Sequence, residues 1–368
     1  MAKEIGFGVI GYGLMGTAHI SGLQQLQHTR VVAVAGPNQS RAQSAASKHN
    51  IPKVYTNEHD LIADPNVEAV IIASPDDHHH PQAMATIAAG KHVFVEKPIA
   101  LNAMQAREMH TAAKAAGVQT GVGFTLRWNP LMEKLHTMVK DGELGAIVSI
   151  HAQRFNKRLL GPPPIMEWRY NQSRIGSGVL GDLGSHMIDL AQYIAGPITS
   201  VSADLATTTT HALDAETQEK IPLLLDDDAA LIVKFASGAH GTISSSRVGS
   251  VDTHLPLGHT RFMINGTEAG LVTDGILHAT IHRLGRPPQP VTSGLPLDDA
   301  DHAEARRWAG ERHHRDARGG HLRRREDPAV PVVAVAARRE AAAVDDDRRV
   351  GPGALRVEHG VVEQVEAR

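Results

Sequence analysis

An apolar run at residues 5–10 passes directly into Gly11-Tyr12-Gly13-Leu14-Met15-Gly16, and a helical pattern follows over 18–26. Strand, glycine-rich turn and helix in that order constrain the fold more than any other stretch of the chain. Gly11 permits the tight turn, Gly13 lets a pyrophosphate approach the backbone, and Gly16 lets the helix pack on the strand. The phosphates are expected on the amino terminus of the helix, which puts Leu14 and Met15 among the contacts. The alternative for such a turn is a purely structural one.

A second strand reads over 31–35. About twenty residues past the glycines, an NAD site usually carries an acid for the ribose 2′-hydroxyl. Gly36 stands there instead, followed by Pro37-Asn38-Gln39-Ser40-Arg41. No carboxylate repels a 2′-phosphate, and Asn38, Ser40 and Arg41 offer partners for one, so NADP is preferred to NAD. Strand and helix patterns then alternate: strand 67–73, helix 81–89 before Gly90, strand 93–95, helix 102–116 before Gly117, strand 118–124 and helix 130–139. Repeats of this kind imply a parallel, doubly wound sheet. Lys97, in Glu96-Lys97-Pro98, falls at the carboxyl end of a strand, where open α/β sheets bind ligands. The triplet His78-His79-His80 reads as a loop beside Ser74-Pro75. Adjacent histidines seldom converge on one ion, so no metal site is expected.

From residue 146 the pattern changes to β-rich runs at 147–155, 198–205, 229–235, 240–246, 260–264 and 270–273, with turn signals at Ser237-Gly238 and Asn265-Gly266. A large, mostly antiparallel sheet is the expectation. Between the first two runs, a helix over 181–194 would place Asp182, His186 and Asp189 at i, i+4 and i+7 on one face. A carboxylate beside an imidazole can fix its tautomer and orient it as an acid/base, while a polar face turned to water is the plainer alternative. With 368 residues and no cysteine, the chain has room for two domains and no thiol or disulfide chemistry. A net charge of -3 argues for neither nucleic acid nor a membrane surface as partner. The start lacks the pattern of a signal peptide and no window is apolar enough to span a bilayer, so a cytoplasmic location is expected.

Taken together, Gly11 to Gly16, Glu96-Lys97-Pro98, Gly123-Phe124-Thr125-Leu126-Arg127 with Pro130, and Asp182-x-Gly184-x-His186-x-x-Asp189 resemble the Gfo/Idh/MocA family of oxidoreductases over roughly residues 5–275. The resemblance implies an NAD(P)-binding Rossmann domain at 1–125 and an α+β domain with a large open sheet at 126–297, the active site lying between them. It implies Lys97 as catalytic lysine, Asp182 as its companion and His186 as general acid/base, with a sugar, cyclitol or related polyol as substrate and a homo-oligomer as the assembly. Ser74, Pro75 and His79 resemble the cofactor-bordering loop, and Trp168-Arg169 a pair that precedes the aspartate-histidine motif. Glu96, Arg127 and Arg169 join the implied cofactor contacts, and Trp168 and Asp189 the substrate contacts. Two other readings keep the cofactor: transient oxidation serving elimination or glycoside cleavage, and a non-catalytic dinucleotide sensor.

Residues 301–368 depart from the family pattern. They hold 14 of the 26 arginines, two leucines and no Ile, Lys, Phe, Met, Tyr, Asn, Ser or Thr. The missing types are largely those with A/T-rich codons, so 298–368 reads as out-of-frame translation of GC-rich DNA, or alternatively as a disordered charged extension. The closing strand and helix that the family implies are not legible there.

Overall fold

A computed structural model describes residues 4–249 and 259–292. The first part alternates strand and helix: β1 (Ile5–Ile10), α1 (Leu14–Leu23), β2 (Thr29–Ala35), α2 (Gln39–His49), β3 (Lys53–Tyr55), α3 (Glu58–Ala63), β4 (Ala69–Ile72), α4 (His79–Ala88), β5 (His92–Val95), α5 (Ala103–Ala116), β6 (Thr120–Val122) and α6 (Pro130–Lys140). The strands pair in parallel, in the order β3-β2-β1-β4-β5-β6. Residues 31–35 of β2 and all of β4 are buried, as continuous apolar runs must be when both sheet faces are covered. Asn38, Asn57, Asn102 and Asn129 each accept a backbone N–H from the first turn of α2, α3, α5 and α6. Each such cap is worth about 1 kcal/mol over alanine.

The chain runs from β1 outward to β3, then crosses back to β4 on the other side of β1. That reversal opens a crevice beyond the carboxyl ends of β1 and β4, the place where such sheets bind ligands. Some boundaries differ from the sequence reading. Helix α1 begins at Leu14, straight from the glycine turn, and β4 and β6 are shorter than their apolar runs because a strand extends only as far as its neighbours pair with it. His79 belongs not to a loop but to the first turn of α4, after a 3-10 turn at Asp76–His78.

The second part contains β7 (Ile147–Phe155), α7 (Ser185–Ala195), β8 (Ile198–Ala206), β9 (His211–Leu213), β10 (Lys220–Pro222), β11 (Asp228–Phe235), β12 (His240–Ser246), β13 (His259–Gly266), β14 (Ala269–Asp274), β15 (His278–Arg283) and β16 (Gln289–Val291). Strands β9 and β10 pair separately, and the others form one sheet ordered β16-β15-β14-β13-β7-β12-β11-β8. Its pairs are antiparallel except β7 with β12. One face is covered: on β11, Ala229, Leu231, Val233 and Phe235 are buried while Ala230, Ile232 and Lys234 point away. Leu131 and Leu135 of α6 and Met187, Leu190 and Ile194 of α7 pack onto Ile150, Ala152 and Phe262. Phe262 is fully buried, and its truncation to alanine costs about 3–5 kcal/mol.

One expectation about this part shifts by two residues and another is corrected. Gly238, at φ +91, does turn β11 into β12; Asn265 and Gly266 are the last two residues of β13, and the hairpin into β14 bends just beyond them at 267–268. A Cβ on Gly266 would sit 2.0 Å from the Leu144 carbonyl oxygen, so this glycine serves a close backbone approach. The helix expected over 181–194 opens instead as a π-helical turn, Leu180–Gly184, and becomes α-helical only at Ser185. The wider turn breaks the regular spacing of Asp182, His186 and Asp189. The carboxylate of Asp226 fixes it, accepting from Gly178 N at 2.6 Å and Leu180 N at 2.7 Å. Expectations about residues 298–368 lie outside the described residues. Among the described residues, no helix is long and apolar enough to cross a membrane.

Candidate active site

The glycine turn has the shape its spacing predicts. Gly11 sits at φ +94, and a Cβ there would lie 2.5 Å from the Ala73 carbonyl oxygen. A Cβ on Gly16 would lie 2.0 Å from the Gly11 oxygen, whereas one on Gly13 meets nothing within 4 Å. So Gly11 and Gly16 close the turn, and Gly13 keeps its open side at the start of α1, which no side chain caps. Leu14, 61% exposed, and Met15 follow it. An uncapped amino terminus behind an open glycine fits a pyrophosphate.

At the end of β2, Gly36 has a local cause: a Cβ there would lie 2.2 Å from the Tyr12 ring, so the ring occupies the place an acidic side chain would need. The Tyr12 hydroxyl accepts from Asn38 N at 3.0 Å and donates to Asn38 O at 3.1 Å. Asn38 caps α2 and accepts from the Ser40 hydroxyl at 2.9 Å, while Arg41 lies 5.5 Å over the Tyr12 ring. All three predicted residues share one exposed edge beside the turn.

The loop after β4 is braced from below. Ser74 donates to Gln82 at 2.7 Å, and the buried His79 ring reaches Pro98 O at 2.7 Å and Ser74 O at 2.9 Å. Burial lowers the His79 pKa, and a neutral ring can donate to only one of these carbonyls. His79 therefore ties the loop at Ser74 and Pro75 to the segment after Lys97 without facing the crevice. Glu96, 5% exposed, is likewise internal: one carboxylate oxygen meets His19 Nε2 at 2.7 Å and the other accepts Lys97 N at 3.2 Å. Gly123 leaves it room, since a Cβ there would be 2.8 Å from the carboxylate.

Beyond β5 the two sheets meet. Lys97 Nζ donates to Asp182 Oδ1 at 2.8 Å and to the Asp182 carbonyl at 3.0 Å, and Arg247 Nη2 donates to Oδ2 at 3.0 Å. Burial alone would raise the Asp182 carboxyl; the charges of Lys97 and Arg247 and their hydrogen bonds overturn this and hold it well below the usual carboxylate range. His186 is buried with its ring edge-on to Phe124, centroids 6.1 Å apart. Burial, then the charges of Lys97 and Arg154, push the imidazole well below its ordinary value, so it is neutral at pH 7. The arrangement read from helix spacing, Asp182 orienting the imidazole, is not what forms, whereas the contact of Asp182 with Lys97 is the one the resemblance implied. Both carboxylate oxygens are taken by cations, and His186 Nδ1 has no hydrogen-bond partner.

Around this centre, Trp168 and Arg169 occupy a 3-10 turn, the guanidinium 4.2 Å over the indole. Arg127 and Asp189 are committed to each other: Nε to Oδ2 at 2.6 Å and Nη2 to Oδ1 at 2.5 Å. Asp189 is 5% exposed, so this pair braces α7 against the segment before α6. The sequence reading missed Asp76, Asp77, Arg154, Arg174 and Arg247. Arg174 clamps Asp77 at 2.9 and 3.1 Å across the crevice. Asp76, near Lys97 and Asp182, is raised to about 7, first by burial, with Lys97 opposing and Asp182 adding. One of these had a legible signal: Arg154 falls on the inward parity of β7, where Ile150 and Ala152 are buried. Arg247 follows a serine run and carries no such mark.

The profile of the oxidoreductase family with an NAD-binding Rossmann fold matches residues 5–124, and that of the GFO/IDH/MocA C-terminal domain matches 132–272. The chain belongs to the Gfo/Idh/MocA family and is an NAD(P)-dependent dehydrogenase. It is 33% identical to the myo-inositol 2-dehydrogenase of Thermotoga maritima, over 65% of this chain and 68% of that one. It is 29% identical to the levoglucosan dehydrogenase of Pseudarthrobacter phenanthrenivorans, over 73% of each. Among solved structures, an NAD binding oxidoreductase from Klebsiella pneumoniae superposes with a TM-score of 0.74 at 31% identity, covering 79% of this chain and 80% of the other. Levoglucosan dehydrogenase in complex with NADH and levoglucosan gives 0.75 at 25% identity, covering 83% and 89%.

Proposed function

We propose that the protein moves a hydride between nicotinamide and a carbinol or carbonyl carbon of a sugar, cyclitol or related polyol, with Lys97, Asp182 and His186 as the reacting groups. The observation that carries this is the 2.8 Å contact of Lys97 Nζ with Asp182 Oδ1, which joins the end of β5 to the start of α7 beside a buried neutral imidazole. Relatives named for myo-inositol, levoglucosan and trans-1,2-dihydrobenzene-1,2-diol support an alcohol carbon as the reacting centre.

Gly11, Gly13 and Gly16 with the start of α1 would hold the pyrophosphate, and the bound nicotinamide supplies the hydride acceptor. The protein's share is proton and charge. Neutral His186 accepts the hydroxyl proton, and the Lys97 ammonium stabilises the alkoxide that develops. Asp182 holds that ammonium in place and favours the imidazolium that forms. Lys97→Met and His186→Ala are each expected to cut turnover by about 10³-fold or more, with NADH binding, read by fluorescence, retained; wild-type turnover in either variant refutes the roles.

The finer cofactor choice belongs to the same reading. Gly36 under Tyr12, with Ser40 and Arg41 exposed nearby, favours NADP, against relatives solved with NADH. Tighter binding of NADP than of NAD in parallel titrations is the expected result. A homo-oligomer is also part of the proposal, supported by Ile232 and Met263, 64% and 41% exposed on the uncovered sheet face.

A further inference from the structure

The arginines around the crevice are matched one by one to anions or rings, with a single exception. Arg247 has Asp182, Arg174 has Asp77, Arg127 has Asp189, Arg158 has Glu167 and the Tyr170 hydroxyl, and Arg169 lies over Trp168. Arg154 has no hydrogen bond, ion pair or ring contact among the described residues, and its Nε is buried. It extends from the covered face of β7, one step past Ala152, between Ser245 of β12 and Thr260 of β13 in register. Ser245 Oγ, Ser177 Oγ and His186 Nδ1 are also buried without a partner. Two of these bear directly on the Lys97–Asp182 pair: Asp182 acts on Arg154, and Lys97, Arg154 and Asp182 all act on His186.

A purely structural arginine here would have found a carboxylate. Asp182, the anion that bears on it, already has both oxygens engaged by Lys97 and Arg247. A half-buried guanidinium without a counter-ion, its Nε enclosed, is unfavourable, and a bidentate oxyanion is its natural complement. The pyrophosphate cradle at Gly13 follows β1 of the parallel sheet, whereas Arg154 stands on β7 of the other sheet, where Asp182 bears on it. We propose that the substrate is itself anionic: Arg154 pairs a carboxylate or phosphate on the same polyol whose carbinol carbon meets Lys97 and His186. This rests on the dehydrogenase reading above and narrows its substrate class. It also answers a charge problem in the chemistry, because an imidazolium at His186 would otherwise form beside Lys97 and Arg154 with Asp182 as its one offset.

The test is calorimetric titration of the full-length NADH complex with matched pairs: D-glucuronate against D-glucose, D-galacturonate against D-galactose, and D-glucitol 6-phosphate against D-glucitol. The acidic member of at least one pair is expected to bind about 10- to 100-fold more tightly than its parent, the scale of a charge-assisted hydrogen-bonded pair; which pair responds separates carboxylate from phosphate. Arg154→Gln is expected to abolish that preference, and Arg154→Lys to restore part of it. Neutral parents that bind as well as the acids in every pair, or a preference that survives in Arg154→Gln, overturn the inference. The wild-type comparison decides it even if the glutamine variant does not fold. Tight acid binding without NADH formation from NAD would instead sink the dehydrogenase reading and leave this one standing.

Discussion

Asp76→Asn removes a carboxyl that the structure holds at about 7 rather than 3.8. Burial is the main cause, and Asp182 and Asp77 add to it against Lys97 and Arg169. Because the folded pKa is raised, the folded state keeps a proton that the unfolded chain releases between 3.8 and about 7. Asp76 therefore contributes stability that is complete below that window, declines as pH rises through it, and is gone above about 7. Each pH unit in the window is worth about 1.4 kcal/mol. From pH 5.5 to 8.5, roughly 1.5 units of it are crossed, so wild type loses about 2 kcal/mol that the asparagine variant keeps. Urea unfolding of both proteins without cofactor at the two pH values reads this directly from the change in the gap between them. A gap constant to within about 0.5 kcal/mol would mean that Asp76 ionises as a solvated carboxyl, and the account of charge around Lys97 would have to be abandoned.

Arg127→Ala strips the bidentate partner from buried Asp189 and is expected to cost about 2–4 kcal/mol, seen as a lowered unfolding midpoint, with Arg127→Lys recovering part of it. Gly11→Ala forces an L side chain to φ +94 and into the Ala73 carbonyl, so NADH binding should weaken by about tenfold or more, measured by fluorescence titration; unchanged affinity would show that the turn tolerates a Cβ.

The parallel half was legible in the sequence because its determinants are local. Apolar runs, the spacing of Gly11, Gly13 and Gly16, and helix stops such as Gly117 depend on residues a few positions apart, and asparagine caps fix the helix starts the same way. Short elements such as β3, α3, β9 and β10 were missed, since three to six residues carry too little periodicity to read. The site was only half legible. Motif order pointed to Lys97, Asp182 and His186, but which partner each one takes depends on contacts between residues far apart in the chain. Tertiary packing gave Asp182 to Lys97, as the resemblance implied, added Arg247 on its other oxygen, left His186 without that carboxylate, turned Glu96 and His79 inward, and left Arg154 without an anion. Local spacing sets backbone conformation through sterics and hydrogen bonds within a turn or two. Ionisation and pairing depend on burial and on charges brought together from separate strands, so they exist only once the sheets have met.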